Sequence, residues 1–449
     1  MIASSNVSII TVIFLAASFA SNQSAGASEP SESPLDDIPQ LRQEARELSA
    51  EGKYRDARVR WQKILSIQNA HLEPDAVVLG QSLANLAAIN LHLRDFKEAL
   101  DQSRKAIAII EKSVGAEHPS LAFCHSWTSQ CQDALGAHSE AEASQARAVK
   151  ILEQAWGPES PDTLKEQNRL GALLASHGKY DAAATLLADV LQSQQNMNPS
   201  DFAVLGETCY LLGGVFHEQK KYAESMALLQ RALDLNESRL GKDAPTNCRI
   251  LDRLAKIHVN LGDLAKAEEV AIRALSIAEK TLPKDDSSIA DSANNLAIVC
   301  AQQGKRAQAI GLYQRSLKLK ESLNGADSPE VAAILLNLGA ALSTDLRYAE
   351  AEVEYGRCLE IFERKRGVDS IEAAQVVVNW ANLYKSQGRF VEAEPLYQRG
   401  LSVLEKTPLV NVENYSQVLD NAAHTLEKVG KPDEAAALRL RAQSLRLKN

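Results

Sequence analysis

The sequence predicts an all-α fold, a solenoid of about ten antiparallel helix-turn-helix hairpins. Three observations predict it. A short string, Gly-Lys-Tyr-x-x-Ala in its fullest form, recurs every 42 residues; two columns of small residues accompany it; and apolar residues between the turns repeat with a period near 3.6, as in amphipathic helices. The abundance of Ala and Leu, with only 5% aromatic residues, also favours helices over strands.

The first residue of this string marks a turn, and it recurs ten times without an insertion or deletion. Glycine occupies most of these positions because it tolerates the backbone conformation that ends many helices. Each turn is predicted to join the two helices of one hairpin. The predicted turns lie near Gly52, Arg94, Gly136, Gly178, Lys220, Gly262, Gly304, Leu346, Gly388 and Gly430.

Small residues recur seven residues before each turn and five residues after it. The column before the turns is Ala45, Ala87, Ser129, Gly171, Gly213, Ala255, Ala297, Gly339, Ala381 and Ala423. The column after them is Ala57, Ala99, Ala141, Ala183, Ser225, Ala267, Ala309, Ala351, Ala393 and Ala435. Two such columns predict two helices whose backbones approach closely.

Glycine and proline also punctuate the boundaries between hairpins. Residues 115–119, 157–161, 241–245 and 325–329 each begin with Gly and end with Pro. Gly ends the second helix of a unit, and Pro blocks its extension. The repeat array is predicted to occupy residues 40–449.

The amino terminus predicts export. Residues 7–20 are apolar over 14 positions, long enough for the core of a signal peptide but shorter than the roughly 20 residues that span a bilayer. Ala25-Gly26-Ala27 provides a cleavage site, so residues 1–27 are interpreted as a signal peptide and residues 28–39 as a flexible leader. We expect a periplasmic or extracellular protein. The alternative is an uncleaved membrane anchor, because residues 1–6 carry no Lys or Arg.

The small, Gly, aromatic and Ala positions resemble the tetratricopeptide repeat, and the 42-residue unit resembles kinesin light chain. The strings that carry the resemblance include residues 294–297 (Asn-Asn-Leu-Ala), 303–305 (Gln-Gly-Lys) and 393–399 (Ala-Glu-Pro-Leu-Tyr-Gln-Arg). The resemblance covers about nine tenths of the chain and implies a right-handed superhelix. It also implies that the first helix of each hairpin lines a concave groove that contacts bound peptide.

Units that depart from the pattern lie mostly at the ends. Arg439 and Gln443 replace apolar residues in the last unit, and Glu44 replaces a Leu in the first, as expected of capping repeats. The third unit is an internal exception, with Thr128 in a Leu column and His138 in a Tyr column. We expect it to be the least stable interior hairpin.

Several classes of function lack support in the sequence. The net charge of −9 argues against nucleic acid as a partner. No phosphate-binding glycine loop or nucleophile motif interrupts the repeats, so no catalytic residue and no cofactor are predicted. The six Cys contain no Cys-x-x-Cys pair and are interpreted as buried thiols. The nine His show no ligand spacing, so no metal is predicted.

One polar column suggests a binding role. Nine residues before the turns, five of the ten units carry Asn, namely Asn85, Asn295, Asn337, Asn379 and Asn421. Asn is a poor helix former, so its recurrence needs a reason. One alternative is a ladder of hydrogen bonds between helices. The other, implied by the resemblance, is a peptide groove, for which the candidate residues are Asn294, Asn295, Asn337, Asn379, Asn382, Arg249, Lys256 and Lys385.

These observations favour a non-catalytic scaffold that binds a protein or peptide and works as a monomer. The alternative is an enzyme or metal-binding protein whose site is built across several helices, which no motif supports. Clustered titratable residues with perturbed pKa values would distinguish the two.

Overall fold

The computed structural model describes residues 33–196, 202–406 and 412–447. Within these ranges the regular structure is helical: twenty α-helices follow a short 3-10 helix, Pro34–Asp37. The α-helices are α1 (Ile38–Ala50), α2 (Tyr54–His71), α3 (Val77–His92), α4 (Phe96–Val114), α5 (Ser120–Ala134), α6 (His138–Trp156), α7 (Pro161–Ser176), α8 (Tyr180–Asn196), α9 (Phe202–Glu218), α10 (Tyr222–Leu240), α11 (Asn247–Asn260), α12 (Leu264–Thr281), α13 (Ser287–Gln302), α14 (Arg306–Asn324), α15 (Pro329–Thr344), α16 (Tyr348–Arg366), α17 (Ile371–Ser386), α18 (Phe390–Leu404), α19 (Val412–Lys428) and α20 (Pro432–Leu447). The all-α prediction is confirmed.

Each predicted turn position adopts the left-handed backbone conformation. The φ angle is positive at the seven glycines and also at Arg94, Lys220 and Leu346. The residue after each turn closes the preceding helix by donating to a carbonyl five residues earlier, as Lys305 does to Cys300 at 2.8 Å. This 6→1 bond satisfies a carbonyl that the helix end would leave unpaired. The 42-residue period therefore marks the position at which the first helix of each hairpin ends.

The two small-residue columns are the contact line between the helices of each hairpin. The column after the turns is fully buried at its nine alanines. Where Ser replaces Ala or Gly, the hydroxyl bonds to the partner helix: Ser129 donates to the Ala141 carbonyl at 2.7 Å, and Ser225 donates to the Gly213 carbonyl at 2.5 Å. A larger side chain would separate the backbones.

The chain forms two compact units, one ending at Leu235 and the other beginning at Asn236. Within the second unit, the first helices of successive hairpins touch one another, from α11 through α13, α15 and α17 to α19. No two second helices make comparable contact in the described parts of either unit. The first helices thus lie side by side and together form one face of the unit.

Two repeated ion-pair columns join neighbouring hairpins. In the first, a Glu of a second helix pairs with the basic residue after the next turn, as in Glu268–Lys305 and Glu352–Arg389. In the second, a Glu near the end of a second helix pairs with an Arg of the following second helix. Its members are Glu237–Arg273, Glu279–Arg315, Glu321–Arg357, Glu363–Arg399 and Glu405–Arg441. Both columns are visible in the sequence once it is aligned at 42 residues.

The first and last hairpins carry exposed or ion-paired polar residues where interior hairpins carry apolar ones, as expected of capping repeats. Arg439 and Gln443 are exposed on α20, and Glu44 on α1 pairs with Arg60 of α2 at 2.6 Å. The first helix of the array, α1, begins at Ile38, which is buried and lies two residues before the predicted start at residue 40. The 3-10 helix before it occupies part of the segment predicted to be a flexible leader. The predicted signal peptide, residues 1–27, lies outside the described residues.

Candidate functional site

The first helices of the second unit present a solvent-facing stripe at three- and four-residue spacing. On α15 the stripe is Ala333, Leu336, Asn337 and Ala340, all half-buried. This spacing keeps side chains on one face of a helix. The neighbouring helices continue the face with half-buried Asn294 on α13 and Asn379 on α17.

Asn337 and Asn379 occupy equivalent positions on two neighbouring first helices. Both side chains are half-buried and lie 42 positions apart on α15 and α17, which contact each other. Neither side chain makes a hydrogen bond to any residue within the described ranges. An amide in this state can donate and accept at the same time.

Asn295 has a structural environment instead. It is only 7% exposed and lies against the buried Asp252 of the preceding hairpin. Ser292 donates to the Asp252 carboxylate at 2.7 Å. Burial raises the pKa of Asp252 to about 6, although hydrogen bonds from Ser292 and Asn295 oppose the shift. At this position the geometry favours the hydrogen-bond ladder over the groove.

Asn382 and Lys385 also bond within the array. Asn421 donates to the Asn382 side chain at 3.1 Å, and the Tyr397 hydroxyl donates to the same oxygen at 2.5 Å. Lys385 donates to the Asn421 oxygen at 2.7 Å, and burial lowers the pKa of Lys385. These groups link α17, α18 and α19, so they too fit the ladder alternative.

The remaining predicted residues lie on the same side of the first helices. Asn294 is half-buried, and its Oδ1 atom is buried without a hydrogen-bond partner. On α11, Arg249 is half-buried and Lys256 is exposed. Thus the predicted residues lie on successive first helices. Asn382 and Lys385 bond within the array, whereas the side chains of Asn337 and Asn379 make no hydrogen bond to a described residue.

A second polar cluster, in the first unit, was missed by the sequence analysis. The histidines show no ligand spacing in the sequence, but stacking of the third and fourth hairpins brings His138 and His177 to Asp133. His138 Nδ1 lies 2.9 Å and His177 Nε2 lies 2.7 Å from Asp133 Oδ1. Burial by itself lowers the pKa of His177, but its hydrogen bonds to Asp133 and Glu142 outweigh burial and raise it. The spacing of 39 residues is close to one repeat, and only the 42-residue alignment could have exposed it.

The six cysteines are buried free thiols, in agreement with the sequence prediction. Burial raises the pKa of Cys124 and of Cys358 to about 12, so both stay protonated near neutral pH. Thiols in this state are poor nucleophiles and poor metal ligands. Among the described helices, none combines the length and the apolar character required to cross a bilayer.

The chain is similar in sequence or in structure to several known proteins. The clustered mitochondria protein homolog of Danio rerio is 25% identical over 140 residues, which is 31% of this chain and 10% of that protein. A putative kinesin light chain of Podosopora anserina with nearly identical TPR-like repeats is 21% identical, over 46% of this chain and 98% of that chain, with a TM-score of 0.42. A Rap protein complexed with competence and sporulation factor is 14% identical, over 92% of this chain and 99% of that chain, with a TM-score of 0.50.

The tetratricopeptide repeat family matches residues 78–154, 207–280 and 288–364, and further tetratricopeptide matches cover residues 168–239 and 378–409. These ranges fall on the hairpins described above. An array of this kind is a scaffold suited to binding other proteins. From its repeats, its turns and these matches, the chain belongs to the tetratricopeptide repeat family.

Proposed function

We propose that the chain binds an extended segment of a partner protein along the first helices α15 and α17. The observation that carries this proposal is the pair Asn337 and Asn379, half-buried on adjacent helices and without a hydrogen bond to described residues. Packed helices lie roughly 10 Å apart, a distance spanned by about three residues of extended chain. Two amides at this spacing suit two peptide groups of one strand.

The surroundings of the amide pair support the same ligand. Ala333, Leu336 and Ala340 flank Asn337, and their small or apolar side chains leave room for a backbone to approach. The exposed Lys256 on α11 favours a segment with an acidic residue beyond its amide-bound part. The Rap protein complexed with competence and sporulation factor illustrates that a solenoid of similar fold accommodates a separate ligand.

Peptide selection against the folded chain tests this function. A random-peptide phage library is panned on immobilised chain, and the affinities of selected peptides are measured for the parent and for the Asn337→Ala, Asn379→Ala double variant. At roughly 1 kcal/mol per hydrogen bond, the double variant should bind about thirty-fold more weakly with an unchanged thermal midpoint. Ala is the better helix former, so helicity should survive.

Asn382→Ala is the matched control, because Asn382 bonds to Tyr397 and Asn421 inside the array. It should lower the thermal midpoint while changing peptide affinity little. If the double variant binds the selected peptides as tightly as the parent, the groove assignment fails.

We also propose that the protein is exported and that its mature chain begins near Ser28. The support is the apolar segment of residues 7–20 followed by Ala25-Gly26-Ala27. Amino-terminal sequencing of the protein from its native host tests the proposal. Recovery of a product that retains Met1 would refute cleavage and leave the membrane-anchor alternative.

A further inference from the structure

We propose that His138, His177 and Asp133 form a binding site for one zinc ion that ties the third hairpin to the fourth. The site lies wholly in the first unit. His138 starts α6, Asp133 ends α5 and His177 follows α7, so three helix ends supply the three ligands.

The ligand atoms are already gathered. His138 Nδ1, His177 Nε2 and one Asp133 carboxylate oxygen lie within 4.8 Å of one another. Zinc bonds to nitrogen and oxygen at about 2.0–2.2 Å in a tetrahedron, which places its ligands roughly 3.3 Å apart. The two distances to Asp133 Oδ1, 2.9 and 2.7 Å, need to lengthen by only about half an ångström. Zinc bonds would replace these two hydrogen bonds.

The outer part of the site matches what a metal-binding histidine requires. His177 is largely buried, with 9% of its side chain exposed, and its other nitrogen, Nδ1, lies 2.7 Å from Glu142 Oε1. Lys179 in turn holds the second Glu142 oxygen at 2.6 Å. A carboxylate on the far nitrogen fixes the orientation of the ring and directs the opposite nitrogen at the metal.

The donor set selects the metal. Two imidazoles and one carboxylate suit zinc and similar transition metals, whereas magnesium and calcium prefer oxygen ligands alone. Asp133 and His138 face solvent, with 35% and 60% of their side chains exposed, so a water molecule can complete the tetrahedron. In the third unit His138 replaces the aromatic residue of its column, and the metal bond would join the hairpins there.

Zinc binding to the full chain, first stripped of metal with a chelator, tests the site by competition with a chromophoric chelator. The parent should bind one equivalent of zinc, excess magnesium should not compete, and zinc should raise the thermal midpoint. His138→Ala should weaken binding at least about a hundred-fold, and Glu142→Gln by about ten- to a hundred-fold. His71→Ala, an exposed histidine of another hairpin, should bind like the parent.

His177 is buried, so His177→Ala could lose binding by unfolding; the exposed His138 therefore decides the test. Cobalt provides a second readout, because a tetrahedral nitrogen and oxygen site gives it visible absorption that His138→Ala should abolish. Absence of saturable zinc binding by the folded parent would overturn the proposal. So would parental affinity in His138→Ala, or zinc binding that depends on the cysteines instead.

Discussion

Glycines within the helices of this protein differ in whether a neighbouring side chain leaves room for a Cβ atom. Gly339 on α15 lies in the small-residue column, where an added Cβ would approach Tyr355 Cε1 to 2.7 Å. Tyr355 is 2% exposed, so its ring has no open space to enter. Gly311 on α14 has no atom within 4 Å of the same added group.

We expect Gly339→Ala to destabilise the protein and Gly311→Ala to stabilise it. Both replacements gain about 1 kcal/mol of helix propensity, but overpacking at Gly339 costs roughly 1–3 kcal/mol. Thermal and urea unfolding of the two variants measure the difference. An increase in stability for Gly339→Ala would show that the helices of this hairpin can separate at little cost.

At the scale of single residues, the sequence predicted packing better than binding. The small columns follow from composition at fixed positions, because a close helix contact admits few side chains. The sequence could not separate structural from ligand-facing members of the Asn column, because Asn295 and Asn337 occupy equivalent positions and differ only in their surroundings. Asp252 buries one, whereas the other faces solvent between Ala333 and Ala340.

At the scale of elements, α5 carries more buried polar side-chain atoms without partners than any other first helix in the described ranges. His125 Nε2, Ser126 Oγ and Thr128 Oγ1 are all buried and make no hydrogen bond. Each such group carries a desolvation cost that no contact offsets. The departure of the third unit from the repeat pattern was visible in the sequence, but these unpaired atoms emerge only from the packing.

Removing one of these hydroxyls should stabilise the protein. Thr128→Val keeps the shape of a residue that is 4% exposed, and we expect a gain of about 1 kcal/mol in unfolding free energy. Thr208→Val is the matched control. The Thr208 hydroxyl accepts from Asn168 at 2.9 Å and donates to the Val204 carbonyl at 2.9 Å, so its loss should cost about 1–3 kcal/mol. Equal effects from the two variants in urea unfolding would contradict this account.

The same helix should make stability depend on pH. Burial, reinforced by nearby Arg147, lowers the pKa of His125 from 6.5 to about 4. The unfolded chain therefore takes up a proton below pH 6.5 that the folded chain accepts only near pH 4, and stability falls across this window as the pH falls. Because His125 is only partly buried, we expect a loss of about 1 kcal/mol between pH 7 and pH 5.

Comparison with His125→Leu isolates this contribution. Urea unfolding at pH 7 and pH 5 should show a smaller pH dependence in the variant than in the parent, by about 1 kcal/mol. An identical pH dependence in both proteins would mean that His125 titrates normally in the fold.

At the scale of the whole molecule, the fold follows from repetition. The turn string recurs at 42 residues through the array, so the positions of ten turns could be predicted from one alignment, and each carries a left-handed residue. Contacts between hairpins were harder to predict, since His138 and His177 are each unremarkable within their own unit. They form a cluster only because the third and fourth hairpins stack, which brings residues about one repeat apart in the sequence into contact.

The six thiols provide a test of how this molecule opens. All are buried, and their helices belong to different hairpins apart from Cys124 and Cys131, which share α5. Without denaturant, an aromatic disulfide reagent should react slowly; in denaturant without reductant it should titrate six thiols. Fewer than six would reveal a disulfide.

The order of labelling then reports local stability, because in a linear repeat array each hairpin is held only by its neighbours. The unpaired polar atoms of α5 weaken its hairpin, whereas Cys300 and Cys358 lie in hairpins that the Arg–Glu column joins. In low concentrations of denaturant we therefore expect Cys124 and Cys131 to be labelled before Cys300 and Cys358, as read by peptide mass spectrometry. Zinc should delay the labelling of the α5 thiols if the proposed site forms. Simultaneous labelling of all four would instead show that the array opens in one cooperative step.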